Sequence, residues 1–325
     1  MNGMDGLNSL SQAGQDQGAE QARHDPLADG SAVFPGDQPA FDILQPEGCE
    51  PGLPVSPLVF ASPHSGRYYP ADLLAQSVLD GAAIRRSEDA YVDRLIAGGP
   101  AFGAVNIHAR YARAYIDVNR EAYELDQAMF IDELPVFARA RSARVAAGLG
   151  SIAKVVAEGQ EIYRGKLTFE QARGRIDRLH HPYHRALQRL LSEAREAHGA
   201  AILIDWHSMP SSAAGEGPHG RKSCDMVLGD RFGSACSSGL TRLVDGALEG
   251  MGFRVARNAP YAGGYTTECY GRPEHGVHAL QIEINRALYL DEAALKPHAG
   301  FERLRRDLDR LFKTLARDWR RAIGA

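Results

Sequence analysis

Cysteine is scarce, and the four that occur, Cys49, Cys224, Cys236 and Cys269, stand far apart. No Cys-x-x-Cys pair exists among them, which argues against a thiolate zinc site and a disulfide frame. Long apolar runs are also lacking. No stretch reaches the roughly 18 residues of a membrane helix, so no membrane partner is expected. Neither sign of charge dominates: Lys plus Arg total 37 against 41 Asp plus Glu, for a net charge of -4. The signs are mixed along the chain, which argues against a nucleic-acid partner. The N-terminus has no basic segment followed by an apolar one, so no secretory leader is expected. The sequence therefore predicts a cytoplasmic protein in a reducing compartment. His-Glu-x-x-His and the Gly-Lys-Ser/Thr ending of a phosphate loop are missing too.

What is present suits a large core: 325 residues, 44% of them hydrophobic. Residues 1–36 are rich in Gly, Gln, Asp, Ala and Ser and are predicted to be a disordered tail. Length alone allows one large domain or two smaller ones, and residues 37–325 are read as a single domain, with proline-rich Asp37–Pro57 as an irregular lead-in. Ala200–Ile204 is apolar without alternation and precedes Asp205-Trp206-His207-Ser208. That pattern predicts a strand buried on both faces of a mostly parallel sheet. Leu58–Ala61, followed by Ser62-Pro63-His64-Ser65-Gly66, has the same design. Further strands are expected at 104–107, 113–118, 226–228, 253–256 and 279–284. Helices are expected at 72–80, 89–96, 237–251 and 301–323. Another is expected from a Thr168/Gln171 capping box toward Gly199, kinked near Pro182. The alternation predicts an α/β fold, three layers deep, with a mostly parallel mixed sheet between helices.

Chemistry collects at the carboxyl ends of strands in such sheets. His64 and His207 both follow a buried run, and imidazole is a common zinc ligand. A catalytic zinc takes three protein ligands, which leaves a carboxylate to find: Asp89 or Glu88. The plainer reading is two core histidines with satisfied hydrogen bonds. Glu283 sits in the apolar strand Gln281-Ile282-Glu283-Ile284. A buried carboxylate needs either an ion pair or a task, and its raised pKa suits a general base. Arg113, Asp117, Asn119 and Arg120 cluster at a predicted strand end. Arg120 with Asn119 suits a substrate carboxylate, and a surface ion pair is the alternative. Asn258–Thr267, with Gly263, Gly264 and Tyr265, reads as a loop that closes on a ligand or as a plain turn. His180, His181 and His184 are read as packing residues around Pro182, and Cys224 as a small core residue.

Several segments together resemble the N-formylglutamate amidohydrolase (deformylase) family, from about Leu58 to Glu292. They are Ser62-Pro63-His64-Ser65-Gly66, Asp89 through Asp93-Arg94-Leu95, Asp117-Val118-Asn119-Arg120, Tyr183-His184 and Asp205-Trp206-His207-Ser208. Asp225–Asp230, Asn258–Tyr265 and Gly276–Glu283 follow in order. The resemblance implies a zinc-carboxypeptidase-like α/β/α fold and metal-dependent hydrolysis of an N-acyl amino acid. It implies one Zn2+ ion, or another divalent metal, held by His64, His207 and Asp89, with Glu88 in reserve. Glu283 becomes the general base and Asn119 with Arg120 a carboxylate-binding pair, and in the mechanism expected from these residues Arg113 is the nearby donor to the oxyanion. The Gly263-Gly264 loop would shut out solvent. N-formyl-L-glutamate is the implied substrate, in a histidine-degradation role. Two departures stand out. Arg67 occupies the position where the wider carboxypeptidase pattern has Glu, and the Ile284-Asn285-Arg286 ending and the long N-terminal tail differ from the histidine-degradation enzyme. These keep another N-acyl amino acid, a small peptide, or metal-free binding on the same scaffold in view.

Overall fold

The computed structural model describes residues 38–50, 52–215 and 224–324. Contacts divide the chain into Met1–Ala32 and Val33–Ala325, and every described residue belongs to the second unit. The tail expected at 1–36 lies outside the described residues.

Seven strands form one sheet: β1 (Phe41–Leu44), β2 (Leu58–Ser62), β3 (Val105–Ala109), β4 (Ala201–Met209), β5 (Met226–Gly229), β6 (Val255–Arg257) and β7 (Val277–Asn285). Their order is β1-β3-β2-β4-β7-β5-β6. The central four, β3, β2, β4 and β7, run parallel. β1 joins β3, and β5 joins β7, in the opposite sense. The sheet is thus mixed and mostly parallel at its centre, as the sequence predicts.

Nine α-helices are described: α1 (Ala71–Gln76), α2 (Gly81–Ile84), α3 (Val92–Leu95), α4 (Ala143–Ala146), α5 (Phe169–Arg175), α6 (His181–His198), α7 (Ser238–Gly250), α8 (Tyr265–Tyr270) and α9 (Gly300–Ile323). All nine residues of β4 are buried, because both faces of the sheet are covered. On one face Ile202, Ile204 and Trp206 of β4 meet Ile282 and Ile284 of β7 and the apolar sides of α3, α7 and α9. α9 supplies Leu304, Leu308, Leu311, Phe312, Leu315 and Trp319 at helical spacing. Phe312 lies with its ring centroid 4.9 Å from Phe60 and 5.7 Å from Trp206. Burying an aromatic side chain of this kind contributes about 2–3 kcal/mol. α6 covers the other face through Tyr183, Leu187, Leu190, Leu191 and Ala194.

Several boundaries differ from the expectations for identifiable reasons. The strand predicted at 113–118 is a turn: the Ala112 carbonyl accepts from Tyr115 N–H and Ile116 N–H. Arg175, buried, holds that turn by donating to the Tyr115 carbonyl and lying 4.0 Å over its ring. An apolar run cannot by itself distinguish a buried turn from a buried strand. The helix predicted at 72–80 stops at Gln76, and Asp80 instead caps α2 by accepting from Ala82 and Ala83 N–H. Of 89–96, only Val92–Leu95 is α-helical. The Thr168/Gln171 capping box is present. The long helix after it divides into α5, a π-helical turn at Ile176–His180, and α6 with Pro182 in its first turn. Proline there has no N–H to donate backward, which suits a break in the α-helical ladder. Gly199 ends α6 in the left-handed region at φ 77°. β1 lies inside the lead-in, where flanking prolines hid a short edge strand.

Candidate active site

His64 follows the end of β2, and His207 lies near the end of the neighbouring strand β4. Their ring centroids are 4.8 Å apart. Asp89 reaches both: its Oδ2 is 2.9 Å from His207 Nδ1 and 3.4 Å from His64 Nδ1. One ligand atom from each of the three lies within 4.8 Å of the others, and all three residues are buried. The far side of each imidazole faces another carboxylate. His64 Nε2 is 2.6 Å from Asp117 Oδ1, and His207 Nε2 is 3.0 Å from Asp205 Oδ2. A carboxylate only accepts, so these contacts place a proton on each Nε2 and turn each Nδ1 toward Asp89.

A divalent cation fits this arrangement. His64 Nδ1 is buried and has no hydrogen-bond partner among the described residues. Ligand atoms about 2.0–2.1 Å from a tetrahedral zinc stand roughly 3.3 Å apart, close to the Nδ1-to-carboxylate spacings above. The carboxylate–histidine pairs are the usual outer support of such a centre. The electrostatics agree. Burial works against a charged His207, yet Asp205 and Asp89 raise its pKa well above the ordinary imidazole value. Burial would raise Asp89 and Asp117. For Asp89 the histidine contacts, and for Asp117 the charges of His64, Arg113 and Arg120, hold them well below the carboxylate range. The site is therefore built to hold positive charge.

Glu283 pairs with His207 in the β4–β7 register, and Gln281 pairs with Asp205. Strand residues two apart share a face, so β4 brings Asp205 and His207 to the side where β7 brings Gln281 and Glu283. Burial raises the Glu283 carboxyl to about 7, with Asp89 adding to the shift while His207, Arg113 and Arg286 oppose it. Its Oε1 accepts from Gln281 Nε2 at 2.8 Å, and Gln281 Oε1 accepts from Gly264 N–H at 2.7 Å. The glycine loop is thus tethered to the glutamate. Gly263 needs its φ of 121°, and a Cβ on Gly264 would stand 2.7 Å from the Asn119 amide nitrogen.

These residues line a cavity of about 570 Å³, together with Arg86, Arg113, Arg120, Arg144, Arg286 and Tyr261. Arg113 donates to Asp117 Oδ2 at 2.7 Å. Arg120 donates through Nε to the Leu149 carbonyl and through NH1 to the Asn119 carbonyl. Burial, with Arg113 and Arg144 nearby, lowers the Arg120 pKa, so the cations crowd one another. Asn119 lies inside the framework: its Oδ1 accepts from Thr266 N–H and its Nδ2 donates to Asp205.

Two other expectations, Glu88 as the reserve ligand and Tyr265 as a substrate contact, resolve differently, and Arg67 can also be placed. Glu88 faces away from the centre, accepting from Tyr69 Oη at 2.6 Å and Arg85 Nε at 2.9 Å. Tyr265 starts α8 with its ring against His184 and His180 rather than lining the cavity, where Tyr261 stands instead. Arg67 pairs with Asp93 outside the centre. His180 and His184 are packed as expected, on the carbonyls of Arg120 and Val118, with Tyr270 Oη on His184.

Arg286 was visible in the sequence only as part of the departing Ile284-Asn285-Arg286 ending. It is buried, and its NH2 donates to Asp89 Oδ1 at 3.2 Å and to the Glu88 carbonyl at 2.6 Å. Its Nε donates to Ser208 Oγ, which donates in turn to Asp89 Oδ1. The carboxylate thereby keeps one oxygen for the histidines and gives the other to the arginine. The partnerships of Asp117 and Asp205 were also missed. For Asp205, the two-residue spacing to His207 on one strand was a usable signal.

The fold and the site define an α/β protein with a carboxylate–histidine centre at the carboxyl ends of its parallel strands, beside a buried glutamate. Residues 56–290 match the family described as N-formylglutamate amidohydrolase. The chain belongs to that family. It is similar to the N-formylglutamate deformylase of Pseudomonas putida, 28% identical over 241 residues covering 73% of this chain and 82% of the relative. A relative of the same name from Pseudomonas aeruginosa is 29% identical over 245 residues, covering 73% and 84%. The crystal structure of N-formylglutamate amidohydrolase from Ralstonia eutropha JMP134 superposes with a TM-score of 0.81 at 37% identity, covering 89% of this chain and all of that one. A gene product of Agrobacterium tumefaciens shares the fold, with a TM-score of 0.51 at 19% identity over 86% of this chain and 95% of its own. No described helix is long and apolar enough to cross a membrane.

Proposed function

We propose that the chain hydrolyses the amide of an N-formyl amino acid, with N-formyl-L-glutamate as the leading substrate: N-formyl-L-glutamate plus water gives formate plus L-glutamate. The observation that carries this reading is the buried group of His64, Asp89 and His207 facing Glu283 across one cavity. His64, Asp89 and His207 would hold one divalent metal, zinc first. Such a cation polarises the amide carbonyl and makes water more acidic.

Glu283 takes a proton from the water that attacks the formyl carbon. It delivers that proton to the amide nitrogen as the C–N bond breaks, and its burial keeps it basic enough for both steps. Arg113, held by Asp117, offers its guanidinium to the developing oxyanion. The substrate carboxylate falls to Arg120, because the Asn119 amide is occupied within the framework and serves as its support. Gly263 and Gly264 bring backbone close to the site, and their tether to Gln281 keeps the loop over Glu283. Residues 37–325 act as the catalytic domain. Its four free cysteines suit a reducing compartment such as the cytoplasm, where glutamate release serves amino-acid breakdown.

The deciding experiment is an amine-release assay on a panel of N-formyl and N-acetyl amino acids, with and without chelator. Formate and glutamate are expected in equal amounts, with loss of turnover on chelation and recovery on adding metal. No release from any N-acyl amino acid in the presence of added divalent metal would overturn the reading.

A further inference from the structure

The segment from Pro135 to Gly165 carries no clear pattern in the sequence, yet it supplies one wall of the cavity. Ser142 organises it. Its Oγ accepts from Val145 N–H at 3.0 Å, capping α4, and donates to the buried carboxylate of Glu124 in a short hydrogen bond. That single turn sets Arg144 on the cavity, with NH1 3.9 Å from Glu124 Oε2. A contact that long orients a guanidinium without using its donors as hydrogen bonds.

The other cations differ. Arg113 is committed to Asp117, Arg286 to Asp89, Arg120 to two backbone carbonyls, and Arg86 donates to Gln160 Oε1. Among the described residues Arg144 has just the loose Glu124 contact. Beside it the wall is apolar, made by Ala147, Leu149, Ala153 and Val155. An apolar strip next to a cation with available donors suits a short aliphatic chain that ends in an anion.

We propose that Arg144 binds a second carboxylate, at the end of the substrate's side chain, and so selects N-acyl dicarboxylic amino acids over neutral ones. This rests on the amidohydrolase reading above. One carboxylate meets Arg120 beside the reacting centre. The side-chain methylenes lie along Leu149 and Val155, and the distal carboxylate reaches Arg144. Glu124 and Ser142 act as positioning residues for that arginine.

The test compares kcat/KM for N-formyl-L-glutamate and N-formyl-L-norvaline, which replaces the distal carboxylate with a methyl group. Wild type, Arg144→Gln and Arg144→Lys are measured as full-length metal-loaded protein. The glutamate-to-norvaline ratio is expected to fall about 10- to 100-fold in Arg144→Gln, mainly through KM, with Arg144→Lys in between. A ratio unchanged in Arg144→Gln, including one where both substrates decline together, overturns the assignment while leaving the amidohydrolase reading intact. Wild-type protein inactive on both substrates removes that reading and this assignment with it.

Discussion

Asp117 Oδ1 stands 2.6 Å from His64 Nε2, on the far side of the imidazole from Asp89. The contact fixes the ring's rotation and its tautomer, and it strengthens Nδ1 as a donor. Asp117→Asn keeps the shape and removes the charge. Metal affinity is expected to fall about 10- to 100-fold, read by competition with a chromophoric chelator. An affinity equal to wild type would show that Asp117 does not support the centre.

Glu283→Gln keeps the side-chain volume and the partnership with Gln281 but cannot accept a proton. The variant is expected to retain bound metal and substrate affinity while kcat drops about 10²- to 10⁴-fold. In wild type the glutamate works ionised, so kcat/KM should rise with pH through a limb at or below about 7. Steady-state kinetics across pH 5–9 check both points.

Arg286 holds Asp89 in place from the side opposite the histidines, through the oxygen they do not use. Arg286→Met leaves that carboxylate oxygen with Ser208 alone. Weaker metal retention is expected, by about 10-fold or more, with a lower melting temperature in the metal-free protein. Arg286→Lys should restore part of both, since it returns the charge but not the fork. Elemental analysis after dialysis and a thermal melt read the two effects separately.

Acid should weaken the fold before any carboxylate titrates in the ordinary range. Burial pushes His180 down to about 4 and His184 to about 3, below the 6.5 of a free imidazole. The unfolded chain therefore binds protons that the folded chain refuses. Stability from these groups is complete above pH 6.5 and declines as pH falls toward their folded values. For His180 the full loss is about 3 kcal/mol. A plot of melting temperature against pH should slope downward below 6.5, and His180→Gln should flatten it. An unchanged slope would mean the histidine is not held neutral.

The parts of this molecule that announce themselves in sequence are those where one segment carries the whole signal. Ala200–Ile204 is apolar without alternation, with Gly199 before it and a Ser/Gly/Pro-rich stretch after Ser208, and the covered strand β4 follows. Leu304, Leu308, Leu311 and Leu315 recur at helical spacing, and α9 follows. His64, His207 and Glu283 each stand out as a polar group next to or inside such a run, so the composition of the centre was open to view. Partnerships were not. Whether Asp89 or Glu88 faced the histidines turns on a backbone bond from Asp89 N–H to the His64 carbonyl, which fixes how that corner points. Asp89 and Arg286 lie nearly two hundred positions apart, and no local pattern links them. The stretch 113–118 failed for a related reason: its shape is imposed by Arg175, a residue from another helix.

The register between β4 and β7 has one further consequence. Trp206 and Ile282 point into the greasy side of the sheet, and their chain neighbours His207 and Glu283 point the opposite way. A slip of either strand by one position would drive a carboxylate among Phe60 and Phe312 and strand an indole at the rim. Misaligned chains of this protein cannot linger as compact impostors. Assembly and competence are checked by the same pleat, and recovered activity after refolding should count correctly threaded molecules.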